Sequence, residues 1–276
     1  MVSIEFGGNE VVLGTGAVAF IGGPCAVESR EIFLETALGV KRAGACLLRG
    51  GIYKMRTRPD TFQGVGASAF SFLNDVKREA GMPLVSEVSD PRQIPGMMDV
   101  VDMFQIGSRN MYNYELLKEL SSLRKPVLLK RAFAATVDEW IKAADYVVRG
   151  GNDRVVLCER GIRTFEPTTR NTLDLNSVAY LKEHSAFPVI VDPSHGTGRP
   201  ELIEPMSLAA IGAGADGLMI EVHPRPAEAL SDARQTIDLR MLESIVAKVT
   251  AIATALGREV VGSAGAPHLT LALGRV

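Results

Sequence analysis

The chain has 276 residues, a formal net charge of −2 at neutral pH and a calculated isoelectric point near 6.1. This balance argues against bulk binding to nucleic acid, although it leaves room for a local basic pocket. Apolar residues make up 46% of the chain, which is enough to bury a sizeable core.

The N-terminal segment lacks the features of a signal peptide. Glu5 and Glu10 stand where such a peptide carries Lys or Arg, and the longest apolar stretch there, 16–27, is too short to cross a bilayer. Three cysteines without paired spacing favour a reducing compartment: Cys25, Cys46 and Cys158. We expect a soluble cytoplasmic protein without nucleic-acid or membrane partners.

The chain begins with a predicted β-hairpin in residues 1–17, turning at "GGN". Short apolar segments then alternate with helical patterns. Helix starts are marked by Asp90 before a proline and by a capping box of Thr136 and Glu139. Residues 258–276 are predicted to form an extended tail. The apolar segments predict eight strands at 19–27, 46–51, 83–88, 103–108, 126–131, 154–160, 188–194 and 217–222.

These strands are apolar throughout, which indicates that both faces are covered, as in a parallel sheet. Eight successive βα units favour a closed (β/α)8 TIM barrel over an open sheet. We therefore predict an α/β fold in which residues 1–276 form a single catalytic TIM-barrel domain. The hairpin is expected to close the N-terminal end of the barrel.

In such a barrel the chemistry lies at the C-terminal ends of the strands, where side chains from every strand converge. Each single polar residue there has an ordinary explanation, such as a turn histidine or a buried thiol. All eight predicted ends carry one, however, and this regularity is the main evidence for a site. The residues are Cys25, Arg49 with Lys54, Glu87, Gln105 with Arg109, Lys130 with Arg131, Glu159 with Arg160, His195, and Glu221 with His223.

Cys25, His195 and Glu221 follow the first, seventh and eighth predicted strands, which become neighbours when the barrel closes. Asp232, in the next loop, can reach the same place. A thiolate, an imidazole and two carboxylates suit Mn, Fe, Co, Cu or Zn better than Ca or Mg. The four residues are therefore predicted to bind one divalent metal ion, and His223 is an alternative ligand.

A second cluster is cationic. Several of its members directly follow apolar strand segments, so they would face one another across a narrow opening and require anions between them. Phosphate and carboxylate are the obvious anions, because Arg binds both bidentately. The cluster comprises Arg49, Lys54, Arg56, Arg58, Arg109, Lys130, Arg131, Arg160, Arg163 and Arg170.

With these residues identified, the chain resembles the 3-deoxy-D-arabino-heptulosonate 7-phosphate (DAHP) synthases, in the short class shared with the 3-deoxy-D-manno-octulosonate 8-phosphate synthases. The matching motifs span residues 22–238: "GPCAVES", "LRGGIYKMRTRPDTFQG", "QIGSRNM", "VLLKR", "CERGIRTFE", "DPSHGTG" and "IEVHPRP". The resemblance implies condensation of phosphoenolpyruvate with erythrose 4-phosphate and water, with release of phosphate, as the first step of the shikimate pathway.

The resemblance also implies residue roles. The metal ligands would be Cys25, His195, Glu221 and Asp232. Lys54 is our choice for proton transfer, with His195 and Glu87 as alternatives. The aldose phosphate would contact Arg56 and Thr57. Phosphoenolpyruvate would be bound by Arg49, Lys54, Arg109, Lys130 and Arg160, and the substrate-binding set is completed by Glu87, Gln105 and Ser108.

Two motifs depart from the family pattern. "KMRTR" stands where the family has "KPRTS", so Met55 replaces a proline and Arg58 a serine. "LLKRAF" replaces "LLKRG". The segment before the first barrel strand is too short for a regulatory domain, so we expect insensitivity to aromatic amino acids. Relatives suggest a homo-oligomer, a tetramer.

Three alternatives stay open at this point. The first is the octulosonate synthase, which uses arabinose 5-phosphate. The second is a metal-dependent aldolase, which forms the carbon–carbon bond without releasing phosphate. The third is a barrel that only binds sugar phosphates and has no use for a metal site.

Overall fold

The computed structural model describes residues 1–55 and 58–261. The chain opens with an antiparallel hairpin, β1 (Val2–Phe6) and β2 (Asn9–Leu13), in which Val2 pairs with Leu13. The hairpin predicted within residues 1–17 is thus confirmed.

Eight parallel strands then form a closed barrel, in which each strand pairs with the next along the chain and the last pairs with the first. The predicted fold class is confirmed. The strands are β3 (Ala19–Gly23), β4 (Leu47–Arg49), β5 (Leu84–Val88), β6 (Met103–Ile106), β7 (Val127–Lys130), β8 (Val155–Glu159), β9 (Val189–Val191) and β10 (Gly217–Glu221).

Helices cover the outside of the barrel. The predicted capping box begins the helix Val137–Arg149: Thr136 accepts from the Glu139 amide, and the Glu139 side chain accepts from Thr136. Asp90 caps a 3-10 turn that leads into α3. None of the helices in the described part of the chain is both long and apolar enough to span a bilayer. The helices are α1 (Arg30–Arg42), α2 (Phe70–Ala80), α3 (Ile94–Met97), α4 (Tyr114–Ser121), α5 (Val137–Arg149), α6 (Leu175–His184), α7 (Pro193–Thr197), α8 (Pro200–Gly212) and α9 (Leu239–Ala255).

The barrel strands are shorter than the apolar segments that predicted them, mainly at the C-terminal mouth. β3 ends at Gly23, whose φ of +147° and close approach to the Arg49 carbonyl leave no room for a Cβ atom. The segment predicted to be a strand over 188–194 ends at 191, because Asp192 caps α7. His195 therefore lies on a one-turn helix directly after β9.

Two apolar cores lie on opposite sides of the barrel wall. The larger core packs outward-facing strand residues against the helices. The smaller core fills the barrel interior, where Ile21, Leu47 and Met219 meet the hairpin residues Val2 and Ile4. Because hairpin side chains belong to this inner core, the predicted position of the hairpin at the N-terminal end is confirmed.

The C-terminal segment returns to the same end of the barrel. Beyond α9, Val260 forms a parallel bridge with Val18, and Val261 donates its amide hydrogen to the Val18 carbonyl at 2.9 Å. Arg258 donates to the Gly16 carbonyl. This part of the predicted 258–276 tail is therefore extended; residues 262–276 lie outside the described part of the chain.

The polar mouth of the barrel follows from the strand repeat. Side chains two residues apart point to the same face of a strand. The position two residues after the last inner-core side chain of each strand also faces inward. It is polar for seven of the eight strands, and for β3 it is Gly23. The seven inward polar residues are Arg49, Glu87, Gln105, Lys130, Arg160, Asp192 and Glu221.

Candidate active site

Four potential metal ligands meet at the mouth of the barrel. One donor atom from each of Cys25, His195, Glu221 and Asp232 lies within 4.8 Å of the other three. Glu221 ends β10, Cys25 follows β3, and His195 is on α7 next to β9. The structure thus brings these four residues together, as predicted.

The His195 ring is held by Asp192, the cap of α7. The Asp192 carboxylate accepts from the His195 amide at 2.9 Å and from its Nδ1 at 2.7 Å. Burial lowers the pKa of His195 to about 4, against the opposing influence of the Asp192 carboxylate. The imidazole is therefore neutral near pH 7, and Nε2 carries the lone pair that faces the other donors.

Glu221 is held from two sides and keeps one oxygen for a ligand. Its amide donates to Ser194 Oγ at 3.0 Å, and its Oε2 accepts from the Gln235 side chain. Its Oε1 is buried and accepts no hydrogen bond. It lies 3.4 Å from His195 Nε2 and 3.2 Å from Arg49 Nη2. A buried carboxylate oxygen without a donor is costly, so this atom favours a bound cation.

Asp232 comes from the loop after β10 and has an unusual backbone. Its φ of +54° places it in the left-handed region, which Asp tolerates better than most residues. Its carboxylate accepts from Cys25 Sγ at 3.0 Å and lies 3.6 Å from Lys54 Nζ. Although burial opposes ionisation, the neighbouring Lys54 and His195 hold the pKa of Asp232 well below its usual range.

Cys25 contacts two cations as well as the carboxylates. Lys54 and Arg49 both donate toward its sulfur. Burial, followed by the nearby Glu221 carboxylate, nevertheless raises the pKa of the Cys25 thiol above its usual range. A metal ligand thiol binds as the thiolate, so binding of a cation here must displace a proton.

The donor chemistry of these four residues fits a divalent transition metal ion. A neutral imidazole, ionised carboxylates and a thiol form a mixed soft and hard set. The buried Glu221 Oε1, which accepts no hydrogen bond, likewise favours a bound metal ion. Burial opposes ionisation of Glu221, but His195 and Arg49 beside it outweigh the burial and hold the pKa of Glu221 low, so its carboxylate is available as a ligand.

His223, the alternative ligand, lies elsewhere. Its Nδ1 accepts from the Arg225 amide at 3.0 Å, and its Nε2 lies 3.7 Å from Glu28 Oε2. It is not part of the four-residue cluster, so the alternative assignment was wrong.

A cavity of about 230 Å³ opens beside the four donors. All the described members of the predicted substrate-binding set line it. Six further residues complete the lining: Met55, Arg58 and Thr61 after β4, Gly107 after β6, Phe133 after β7 and Arg170 after β8. The predicted residues in the lining are Arg49, Lys54, Glu87, Gln105, Ser108, Arg109, Lys130, Arg160, His195 and Asp232.

Several cations line the cavity beside the donor cluster. Arg49 Nη1 is buried and has no hydrogen-bond acceptor. Lys130 pairs with Asp192, which is shared with His195. Burial lowers the pKa of Arg160 to about 10, which still leaves it charged at neutral pH. Such an arrangement attracts anions into the cavity.

Lys54 lies between the donor cluster and the cavity. Burial opposes its charge, but the Cys25 sulfur and the Glu87 carboxylate beside it outweigh the burial and raise the pKa of Lys54 above its ordinary value. It is an ammonium group that lines the cavity and contacts the Cys25 sulfur. This position suits the donation of a proton to a bound substrate.

Arg131, expected in the cationic cluster, points out of the barrel. Its guanidinium pairs with Glu159 at 3.0 Å and Asp174 at 2.8 Å, and it lies over the Trp140 ring. Because Arg131 follows Lys130 directly, the two side chains point to opposite faces of the strand. Glu159, adjacent to Arg160, points outward for the same reason. Neither residue lines the cavity.

Arg56 and Thr57, predicted to contact the aldose phosphate, lie outside the described residues. Arg58 and Arg170 line the cavity as members of the cationic cluster, but Arg163 does not.

Two residues that hold the donors were not among the predicted site residues. Asp192 stands two residues after the inward Ile190, so strand alternation was a sufficient signal for it. Gln235 bridges Arg170, at 2.6 Å, and Glu221. Nothing in the local pattern singled out Gln235.

Fold and site together define the class of the protein: a (β/α)8-barrel enzyme with a cationic cavity beside a metal-type donor cluster. The chain belongs to the DAHP synthetase I family, whose model matches residues 2–256.

Individual relatives agree with the family. The chain is 44% identical over 252 residues to phospho-2-dehydro-3-deoxyheptonate aldolase of Thermotoga maritima, covering 91% of this chain and 75% of that protein. A crystal structure of phospho-2-dehydro-3-deoxyheptonate aldolase (DAHP synthase) from Thermotoga maritima superposes with a TM-score of 0.89 at 43% identity, covering 94% of this chain and 75% of that one. A 2-dehydro-3-deoxyphosphooctonate aldolase of Azoarcus sp. strain BH72 is more distant, at 30% identity over 257 residues, with 85% of this chain and 90% of that protein covered.

Proposed function

We propose that this chain is a metal-dependent DAHP synthase that condenses phosphoenolpyruvate with D-erythrose 4-phosphate and water, releasing phosphate. The observation that carries the proposal is the junction of the four-donor cluster with the cationic cavity, at which Lys54 contacts both. The higher identity to a heptonate enzyme than to octonate enzymes favours erythrose 4-phosphate over arabinose 5-phosphate as the aldehyde.

In the proposed reaction, C3 of phosphoenolpyruvate forms a bond to the aldehyde carbon of erythrose 4-phosphate. Water adds at C2, and the bond from C2 to the phosphate oxygen then breaks. Both substrates are anionic, and the cations of the cavity match charges that persist through the transition state. Phosphoenolpyruvate would be bound by Arg49, Lys54, Arg109, Lys130 and Arg160.

Proton transfer is assigned to Lys54. The developing alkoxide of the aldehyde needs a proton, and Lys54 is held as an ammonium beside the donor cluster. His195, neutral and bonded to Asp192, serves as a ligand in this scheme. Glu87 lines the same cavity and accepts a hydrogen bond from Gln105 at 3.3 Å.

Cys25, His195, Glu221 and Asp232 would hold the metal ion, one of Mn, Fe, Co, Zn or Cu. Bound there, such an ion acts as a Lewis acid toward a carbonyl oxygen. We further propose that residues 1–276 act as a single catalytic domain. The protein would work as a cytoplasmic homo-oligomer, a tetramer, in the first step of the shikimate pathway.

The test is a phosphate-release assay with phosphoenolpyruvate and either erythrose 4-phosphate or arabinose 5-phosphate, before and after treatment with a chelator. We expect release with erythrose 4-phosphate, its loss on chelation, and its recovery with a divalent transition metal. Release only with arabinose 5-phosphate would identify an octulosonate synthase. Carbon–carbon bond formation without phosphate release would identify an aldolase, and binding without any turnover would overturn the enzymatic proposal.

A further inference from the structure

Phe133 contributes the only phenyl ring among the described residues that line the cavity. It follows β7 by three residues and is half-buried. Three guanidinium groups surround its ring, with their carbon atoms 4.7 Å (Arg160), 5.0 Å (Arg163) and 5.5 Å (Arg109) from the ring centroid. Each distance is within the range of a cation–π interaction.

Like charges gathered at one place repel one another, so their convergence needs a compensating group. A carboxylate at this position would accept the N–H donors of the arginines and would repel an incoming phosphate. An aromatic face attracts cations through its quadrupole without taking up their N–H groups in this way. A ring is therefore the side chain that gathers arginines and still leaves them suited to bind an anion.

The three arginines come from different parts of the barrel. Arg109 follows β6, while Arg160 and Arg163 follow β8, so the ring of Phe133 lies between the two loops. The backbone joins the loop after β7 to the loop after β8, because the Arg163 amide donates to the Phe133 carbonyl at 2.7 Å. That bond does not depend on the side chain. Substitution of the ring therefore removes its contacts with the arginines and leaves this backbone bond in place.

We propose that Phe133 is a positioning residue for the phosphate of phosphoenolpyruvate, which acts by holding Arg109 and Arg160 at the cavity wall, with Arg163 as a third cation at the rim. This inference rests on the proposed function for the identity of the substrate. The proposed effect of the ring is on the affinity of the site for a phosphate group, which can be measured without turnover.

The test compares Phe133→Leu, which removes the aromatic face, with Phe133→Tyr, which keeps it. We expect Leu to raise the KM for phosphoenolpyruvate about tenfold, equivalent to about 1.4 kcal/mol. The KM for erythrose 4-phosphate and kcat should change less than about twofold. Tyr should restore the KM for phosphoenolpyruvate to within about twofold of the native value.

Phe165→Leu is the matched control, because Phe165 lies in the loop after β8 but is 98% exposed. It should leave every kinetic constant unchanged. Phe133→Met supplies a second non-aromatic variant if Leu impairs folding, and thermal unfolding of each variant reports on stability. The proposal is overturned if Leu or Met behaves like Tyr, or if the two KM values rise together.

A direct titration with inorganic phosphate and with phosphoenolpyruvate, followed by calorimetry, distinguishes this inference from the proposed function. A native protein that fails to turn over erythrose 4-phosphate, yet binds phosphate about tenfold more tightly than Phe133→Leu, would refute the function and keep the positioning role. Equal phosphate affinity in the native, Leu and Tyr proteins would refute the positioning role whatever the activity.

Discussion

Asp192 Oδ2 lies 2.7 Å from His195 Nδ1, and the same oxygen is the acceptor for Lys130. One buried carboxylate is therefore shared between a proposed metal ligand and a proposed phosphoenolpyruvate ligand. Burial opposes its charge, but His195 and Lys130 outweigh it and keep the pKa of Asp192 well below its usual value. Asp192 consequently remains an acceptor throughout the neutral range.

Replacing this carboxylate should weaken metal binding. In Asp192→Asn, the negative charge that orients the imidazole and increases its basicity is lost. We expect metal affinity to fall about 10- to 100-fold. Competition with a chromophoric chelator measures it without recourse to activity. Asp238→Asn, which changes the exposed cap of α9, is the control, and an unchanged affinity in Asp192→Asn would contradict the assigned role.

Metal affinity should rise with pH because of Cys25. The pKa of its thiol is raised, so the free protein holds this proton near neutrality, whereas the bound ion requires the thiolate. The carboxylates have lowered pKa values, and His195 is neutral above about pH 4, so neither contributes a proton there. We expect about one proton released per ion, and affinity that increases about tenfold per pH unit from pH 6 to 8.

Calorimetry in buffers of different ionisation enthalpy measures the proton release. Cys25→Ser should bind more weakly and lose most of the pH slope, while Cys46→Ser should behave like the native protein, because Cys46 is remote from the cluster and donates to the Phe20 carbonyl. An affinity independent of pH in the native protein would show that Cys25 is not a ligand.

Arg131 should matter for stability and not for substrate binding. Arg131→Met leaves Glu159 and Asp174 without their guanidinium partner in a largely buried network. We expect a loss of about 3 kcal/mol in the free energy of unfolding, measured by denaturant titration. The KM for phosphoenolpyruvate should stay within about twofold. The exposed Arg149→Met is the control; a selective rise in KM for Arg131→Met would place Arg131 at the cavity after all.

The hairpin should likewise contribute to stability alone. Ile4 is 2% exposed and packs inside the barrel at the end opposite the donor cluster. Ile4→Ala should cost about 2–4 kcal/mol of unfolding free energy through the lost contacts and the cavity left behind. Glu5→Ala, on the exposed face of the same strand, should be nearly neutral. Reduced kcat/KM in a folded Ile4→Ala protein at low temperature would contradict this separation.

Strand alternation decided how much of the site was predictable. The apolar segments and their polar ends fixed the barrel and the convergence of Cys25, His195 and Glu221, because neighbouring strands must end together. The same alternation, applied strictly, would also have placed Arg131 outside the barrel and Asp192 inside it. Treating adjacent residues as one strand end was therefore the source of the error.

Other features depend on contacts between distant loops, which no local pattern encodes. The bridge from Arg170 through Gln235 to Glu221 joins the loops after β8 and β10. The position of Phe133 among three arginines depends on two further loops. Neither Gln235 nor Phe133 was predicted, because their contacts follow only from the packed barrel.

The four donors differ in how firmly the chain holds them. Glu221 and His195 have side chains 0% and 10% exposed and are held on or next to strands, while Asp232 is 18% exposed and lies in a loop with a left-handed backbone. An ion can therefore enter or leave when that loop is displaced, with the barrel still folded. We infer that the lifetime of the bound ion is governed by the opening rate of a single loop and not by unfolding of the protein.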